Sequence, residues 1–435
     1  MPIKSKGSGE RTAKLLGVGL RTLGRSMANR LPGGDRVERS ARHWAEVGED
    51  WVKTLGELRG AAMKMGQLAS QYSDLLPKTL ADQLVKLQNA VEPLPFEELK
   101  PALKRYWKAA QWKQVADIDP IAFAAASIGQ VHRATLTDGR KVVVKIRYPD
   151  IEHAVDSDIK QLRRLISASK LLPLDNAALN RLMEEVRQRF NEETNYRTEH
   201  EHLLHLRRHG QVDGIVYPTP VASLCADGVL VMTEEVGEPL SMAKCWPQET
   251  RDRIGTTLCR WITHEMFIAH AVHADPHPGN FAFRPDGSVV VYDFGCVKQV
   301  PAPIVEGVRR VLRAAWRTDW QELHDAELAL QGVGEKVRLT EVIPVYNDFA
   351  DLTLRRLCTD TLFNYGDPCF IDDLRAAARR HYRHAFTFKP VSDLIFVMRA
   401  VSGTYWLLRT LGAQVPMGQV LAAHDVGPLN ARCSA

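Results

Sequence analysis

A chain of 435 residues, 45% hydrophobic and 25% charged, has the composition of an ordinary soluble globular protein and is long enough for two lobes with extensions. The net charge of +5 is too diffuse to indicate nucleic acid as a partner, although it suits an anionic membrane surface. No apolar run reaches the roughly eighteen residues of a membrane span, and the seven scattered cysteines contain no C-x-x-C pair, which excludes a disulfide framework and points to a reducing, cytoplasmic setting.

In chain order, residues 1–38 form a basic arm. In RTAKLLGVGLRTLGRSMANRL, Leu16, Leu20, Leu23, Met27 and Leu31 fall on one side, with Lys14, Arg21, Arg25 and Arg30 elsewhere. Three readings stay open: packing on the rest of the domain, an amphipathic helix lying on a membrane or partner, and an Arg-rich targeting segment that leaves a mitochondrial location open. Gly17, Gly19 and Gly24 weaken it as a free helix. After the LPGGD breaker, residues 39–115 read as helices. Trp44, Val47, Trp51, Leu55, Leu58, Ala62, Met65 and Ala69 recur at three- and four-residue spacing, giving one apolar face. Lys64 and Gln67 share a neighbouring face, where, taken by themselves, they read as a solvated pair.

Residues 116–236 are expected to form a mostly antiparallel small lobe with one or more helices. FAAASIGQVHRA, residues 123–134, occupies the place of a phosphate loop. Ala125, Ala126, Ser127 and Gly129 are small enough for backbone amides to approach phosphates, although alanine stiffens such a loop. GRKVVVKIRYP follows as a β-branched strand carrying Lys145. Strict alternation puts Val142, Val144 and Ile146 on one face and Val143 and Lys145 on the other, which permits an exposed Lys145. The helix-compatible LMEEVRQRFNEETNYRTEHEHLL offers Glu193 as an ion-pair partner for this Lys, with Glu184, Glu185 and Glu192 as competitors. GVLVMTEEV, residues 228–236, reads as a buried strand entering a hinge, where backbone groups from Glu234 to Val236 would bond an adenine ring.

From residue 237 to 435 helices dominate, among them TRDRIGTTLCRWITHEMFIAH. HADPHPGN, residues 273–280, and the DFG that ends SVVVYDFG carry the polar set of a phosphoryl-transfer site: Asp275 to orient or deprotonate an attacking hydroxyl or water, Asn280 and Asp293 to hold Mg2+. His273 and His277 lack the accompanying Cys or acidic cluster of a zinc site. No A-P-E segment follows, so a conventional activation loop is not evident. Residues 391–412 are interrupted by Asp393, Arg399 and Arg409 and read as packed helix.

AAASIGQVH, the VVVK strand, HADPHPGN and DFG, together with Lys64, Met65, Gly66 and Gln67 as K-x-G-Q, occur in order over about 230 residues. The chain resembles the UbiB family of atypical kinase-like proteins, also called AarF-domain or ABC1-type. The resemblance implies an α+β, two-lobed protein-kinase-like fold in which the K-x-G-Q helix covers the protein-substrate region, placing Lys64 and Gln67 at the nucleotide. It further implies ATP (or ADP) and Mg2+ binding with ATP hydrolysis rather than conventional protein phosphorylation, and a role in isoprenoid-quinone biosynthesis or lipid handling at membranes. The implied partners are a quinone precursor or lipid, an anionic membrane surface and quinone-biosynthesis proteins. Glu193 matches the first position of the family's E-x-D element and would pair with Lys145, whereas Asn195 stands where the family has Asp, which removes a charge. Glu199 matches an acidic residue that would face the K-x-G-Q Lys. Some members carry a C-terminal membrane anchor, and this chain departs from them in ending LAAHDVGPLNARCSA. Two other readings remain: a nucleotide- or lipid-binding scaffold without turnover, and a small-molecule phosphotransferase, which would need an open acceptor pocket.

Overall fold

The computed structural model describes residues 93–125, 128–149, 159–160, 163, 167, 180, 183–184, 187, 194–358, 361–384 and 387–427. The basic arm, Lys64, Gln67, Ala126, Ser127 and Glu193 lie outside the described residues. Two compact units are present, one comprising residues up to Thr198 together with Val221–Thr233, the other Glu199–Pro220 together with Glu234 onward.

The first unit is built on α1 (Phe96–Tyr106), whose Leu99 and Leu103 are fully buried. Each removes a large apolar side chain from water, worth about 2 kcal/mol. Strands β1 (Val115–Ala125), β2 (Gly129–Leu136) and β3 (Lys141–Arg147) follow as antiparallel neighbours. The chain then runs through α2 (Tyr196–His209) and β4 (Ile215–Val216) before β5 (Val229–Thr233) completes a sheet of order β1-β2-β3-β5. β3 therefore has a hydrogen-bonded partner on each side and α1 packed against it. Its VVVKI run is buried throughout, Lys145 included at 8% exposure. Alternation alone permitted an exposed Lys145; a central strand covered on both faces buries it instead.

The second unit holds β4, α3 (Gln248–His264), β6 (Ala271–His273), β7 (Phe281–Phe283), β8 (Val289–Val291), β9 (Val297–Gln299), α4 (Ala302–Arg317) and α5 (Ile395–Leu411), with further helices between the last two. β4 and β8 pair in parallel and β7 and β8 antiparallel, while β6 and β9 form a separate antiparallel ladder. The two short ladders fix the ends of the HADPHPGN and DFG segments. Trp261 of α3 is buried against His273 and Phe281, and its indole N–H donates to the Tyr217 hydroxyl at 2.6 Å. No helix among the described residues is long and apolar enough to cross a membrane, and the six described cysteines are free.

Candidate active site

In the first unit the described ends of the small-residue segment lie on the antiparallel neighbours β1 and β2. Ala125 ends β1 and is exposed, whereas Gly129 is buried at the start of β2. A Cβ on Gly129 would stand 2.4 Å from the Ile146 carbonyl oxygen and 2.5 Å from the Tyr196 hydroxyl. Packing against β3 and Tyr196 therefore demands glycine here, whatever the segment binds. Lys145 lies opposite Val131 of β2 and Leu230 of β5, and its ammonium sits 5.1 Å from the centroid of the Tyr196 ring, within cation–π range. Arg147 ties the same region together: it donates to the Thr194 carbonyl at 2.5 Å and to the Tyr106 hydroxyl at 2.7 Å.

Asn195, the departure from the family pattern, has a local role. Its side-chain oxygen accepts the Arg197 amide at 3.0 Å immediately before α2, which is what Asn does at a helix N-terminus.

In the second unit the backbone after β5 is held by the sheet behind it. Glu238 exchanges two 2.8 Å hydrogen bonds with Phe283. Arg284 donates to the Val236 carbonyl and to the Glu235 carboxylate, and the Tyr292 hydroxyl donates to the Glu235 carbonyl. Val236 is exposed at 69%. Glu235 and Val236, in the hinge segment expected to meet an adenine ring, are thus held from behind, and Val236 presents an apolar side chain outward.

Most residues of HADPHPGN have a structural assignment. Ala274 continues the β6–β9 ladder by donating to the Cys296 carbonyl at 2.8 Å. The His277 amide turns back to the Asp275 carbonyl at 2.7 Å, and the His277 Nδ1 accepts the Gly279 amide, capping the single turn Pro278–Asn280. The Asn280 side-chain nitrogen then donates both to the Asp275 carbonyl oxygen and to its Oδ2, each at 2.9 Å. Asp275 Oδ1 accepts from Arg399 of α5 at 2.7 Å. Asp293 Oδ1 accepts the Gly295 amide at 2.8 Å, and the Asp293 carbonyl is bonded by His273 Nε2. The second unit thus brings Asp275 and Asn280 into direct contact and ties Asp293 to the same loop through His273. His273 is buried and engaged in this way and His277 is a cap; among the described residues no group of His, Cys, Asp and Glu is arranged to hold a metal by itself.

Three residues hold this arrangement from outside the motifs; the family resemblance marks Glu199 alone, for a contact with the K-x-G-Q Lys, and no motif in the sequence marks the other two. α2 grips both backbone groups of Phe294: His202 Nδ1 donates to its carbonyl at 2.9 Å, and Glu199 Oε1 approaches its amide at 3.4 Å. Burial lowers the His202 pKa, keeping the ring neutral. Glu265 opens a π-helical turn at the end of α3, closed by His270 in the left-handed region at φ 50, and such turns recur at functional sites. It is fully buried; its Oε2 accepts the His273 amide at 3.0 Å, and its Oε1 has no partner among the described residues. For His202 and Glu265 the only sequence signal is their helical placement ahead of the motifs.

Burial raises the Glu265 pKa well above 4.5, against the smaller opposing effect of the His273 hydrogen bond. Below 4.5 both folded and unfolded chains carry the proton and nothing is lost. Above it the unfolded chain releases the proton while the folded one keeps it, so stability falls with rising pH by up to about 1.4 kcal/mol per unit until the folded value is passed. Glu265→Gln keeps an acceptor for His273. Its melting temperature should match wild type at about pH 5 and exceed it at about pH 8; a difference independent of pH would contradict the assignment.

A family model described as the ABC1 atypical kinase-like domain matches residues 86–327, more than half of the chain. The mitochondrial atypical kinase COQ8 of Saccharomyces cerevisiae is 30% identical over 278 residues, 63% of this chain and 55% of that protein. Mitochondrial COQ8B of Rattus norvegicus is 30% identical over 305 residues, 69% of this chain and 58% of that protein. The chain thus spans little more than half the length of these curated relatives. Among solved structures, that of the Rv3197–erythromycin complex from Mycobacterium tuberculosis superposes with a TM-score of 0.60 at 23% identity, covering 91% of this chain and all of that one, which establishes a shared fold.

Proposed function

The chain belongs to the ABC1 atypical kinase-like (UbiB) family, with its α+β, two-lobed kinase-like fold, and from that premise we propose that it is an ATP- and Mg2+-dependent phosphoryl-transfer enzyme. The observation that carries the reading is the loop in which Asn280 donates twice to Asp275 while His273 holds the backbone of Asp293. An amide whose nitrogen is committed to Asp275 leaves its oxygen as the ligand atom, and with the Asp293 carboxylate it forms the hard oxygen donor set that suits Mg2+. Bound there, Mg2+ would neutralise charge on the phosphates.

This chain's own residues do the rest. Lys145 provides a fixed positive charge for the phosphates, with Glu193 as its proposed ion-pair partner. Backbone groups of the segment from Ala125 to Gly129, including Ala126 and Ser127, line the nucleotide, Glu234 and Val236 meet the base, and Lys64 and Gln67 complete the cover. Asp275, oriented through both oxygens, accepts the proton of the attacking water or hydroxyl. Membership of this family, with the mitochondrial atypical kinases COQ8 and COQ8B among its relatives, supports a role in isoprenoid-quinone (ubiquinone) biosynthesis; membrane lipid handling, peripheral to a membrane in the cytoplasm or in mitochondria, belongs to the same proposal.

A second reading, a nucleotide-holding scaffold without turnover, draws on the ion pair that already engages Asp275. ATP hydrolysis by the purified chain, measured with Mg2+ and with EDTA, in the presence and absence of anionic liposomes and a phenolic quinone-precursor mimic, separates the two. Mg2+-dependent turnover rejects the scaffold; nucleotide binding without turnover rejects the enzyme.

A further inference from the structure

We infer that α5, a helix beyond the residues matched by the family model, is part of the catalytic apparatus, and that Arg399 on it is the positioning residue for Asp275. The inference rests on the phosphoryl-transfer reading. Residues 328 onward lie outside that match, yet α5 touches the catalytic loop at two points one helical turn apart. Arg399 Nη2 donates to Asp275 Oδ1 at 2.7 Å. Gly403, four residues on and therefore on the same face, lies so close to Pro276 that a Cβ would come within 2.0 Å of the proline Cγ. The helix is thus seated directly on the Asp275–Pro276 peptide, and only glycine permits that seating.

The geometry at Asp275 gives Arg399 its work. One carboxylate oxygen is held by Asn280 from within the loop, and the other would be free to rotate if nothing held it. Arg399 holds it. Among the described residues Asp275 is the only hydrogen-bond partner of Arg399, so the guanidinium has no competing structural duty. Both groups are about a third exposed, 33% for Arg399 and 36% for Asp275, so the pair contributes little to stability. Its effect falls on orientation: a carboxylate fixed through both oxygens presents its remaining lone pairs in one direction, whereas a misplacement of an ångström costs about 100-fold in rate. The HADPHPGN motif carries no Lys or Arg, and the guanidinium beside its Asp comes from 124 residues further along.

The test compares Arg399→Gln, Arg399→Lys and Gly403→Ala with an Arg409→Gln control on the same helix, whose side chain meets Tyr405 and Trp406 rather than the loop. ATP turnover by the full chain and amide hydrogen exchange of the peptide Val272–Phe281 are both measured. Arg399→Gln should lower kcat about 10- to 100-fold with KM for ATP within about twofold of wild type. It should also raise exchange across Asp275–Asn280; Arg399→Lys should recover part of both, and Gly403→Ala should reproduce both by lifting the helix. Unchanged kcat in Arg399→Gln, or unchanged exchange, overturns the inference. A wild type with no turnover refutes the phosphoryl-transfer reading instead; exchange then decides alone, raised exchange in Arg399→Gln supporting the clamp and unchanged exchange overturning it.

Discussion

Asp293→Asn is expected to abolish Mg2+-dependent ATP turnover, by about 1,000-fold, while leaving the melting temperature close to wild type. The substitution is nearly isosteric and retains the Oδ1 that accepts the Gly295 amide, and the bond from His273 goes to the Asp293 backbone and is untouched. What disappears is the negative charge, and with it the hard anionic ligand proposed to hold a divalent cation against phosphates. Nucleotide binding should persist but lose most of its dependence on Mg2+. The check is kcat alongside nucleotide affinity measured with Mg2+ and with EDTA. Turnover within a few-fold of wild type would mean that Asp293 holds no catalytic metal, and the assignment of the site would fall.

What the sequence revealed of this site was its local part. Within HADPHPGN the contacts that fall inside the motif are short-range: His277 caps the turn that begins with Pro278, and Asn280 reaches back five positions to Asp275. Asn195 was visible as a departure from the family pattern, and its capping bond spans only two residues. The groups that steady the loop from outside were invisible for the complementary reason. His202 reaches Phe294 across 92 positions and Arg399 reaches Asp275 across 124; no periodicity or spacing encodes such pairs. Arg399 entered the sequence reading merely as a charge interrupting an apolar stretch, and its partner follows from where the fold puts α5. Glu265 sat unremarked in an apolar helix end until the π-helical turn placed it under His273. The burial of Lys145 belongs to the same class. Alternation predicts two faces, and which faces are covered depends on what packs over the sheet, α1 and Tyr196 among them, not on the strand itself.

That burial sets the second large effect, at Lys145. Lys145→Met should lower turnover about 100-fold or more and weaken ATP binding, and Lys145→Arg should fail to restore either. Methionine has nearly the length of lysine and fills the same space without the charge, so the first variant removes the ammonium and little else. The second tests the shape of the surroundings. Lys145 is 8% exposed, with the Tyr196 ring 5.1 Å from its ammonium and Val131 and Leu230 opposite on the adjoining strands. Gly129 next to Tyr196 has no room even for a methyl group. A planar guanidinium is broader than an ammonium and cannot take its place there without displacing Tyr196. A solvent-facing Lys would behave oppositely, since Arg would supply an equivalent charge to any phosphate within reach. Rescue by Lys145→Arg would therefore contradict the buried placement, and wild-type turnover in Lys145→Met would remove Lys145 from the site altogether.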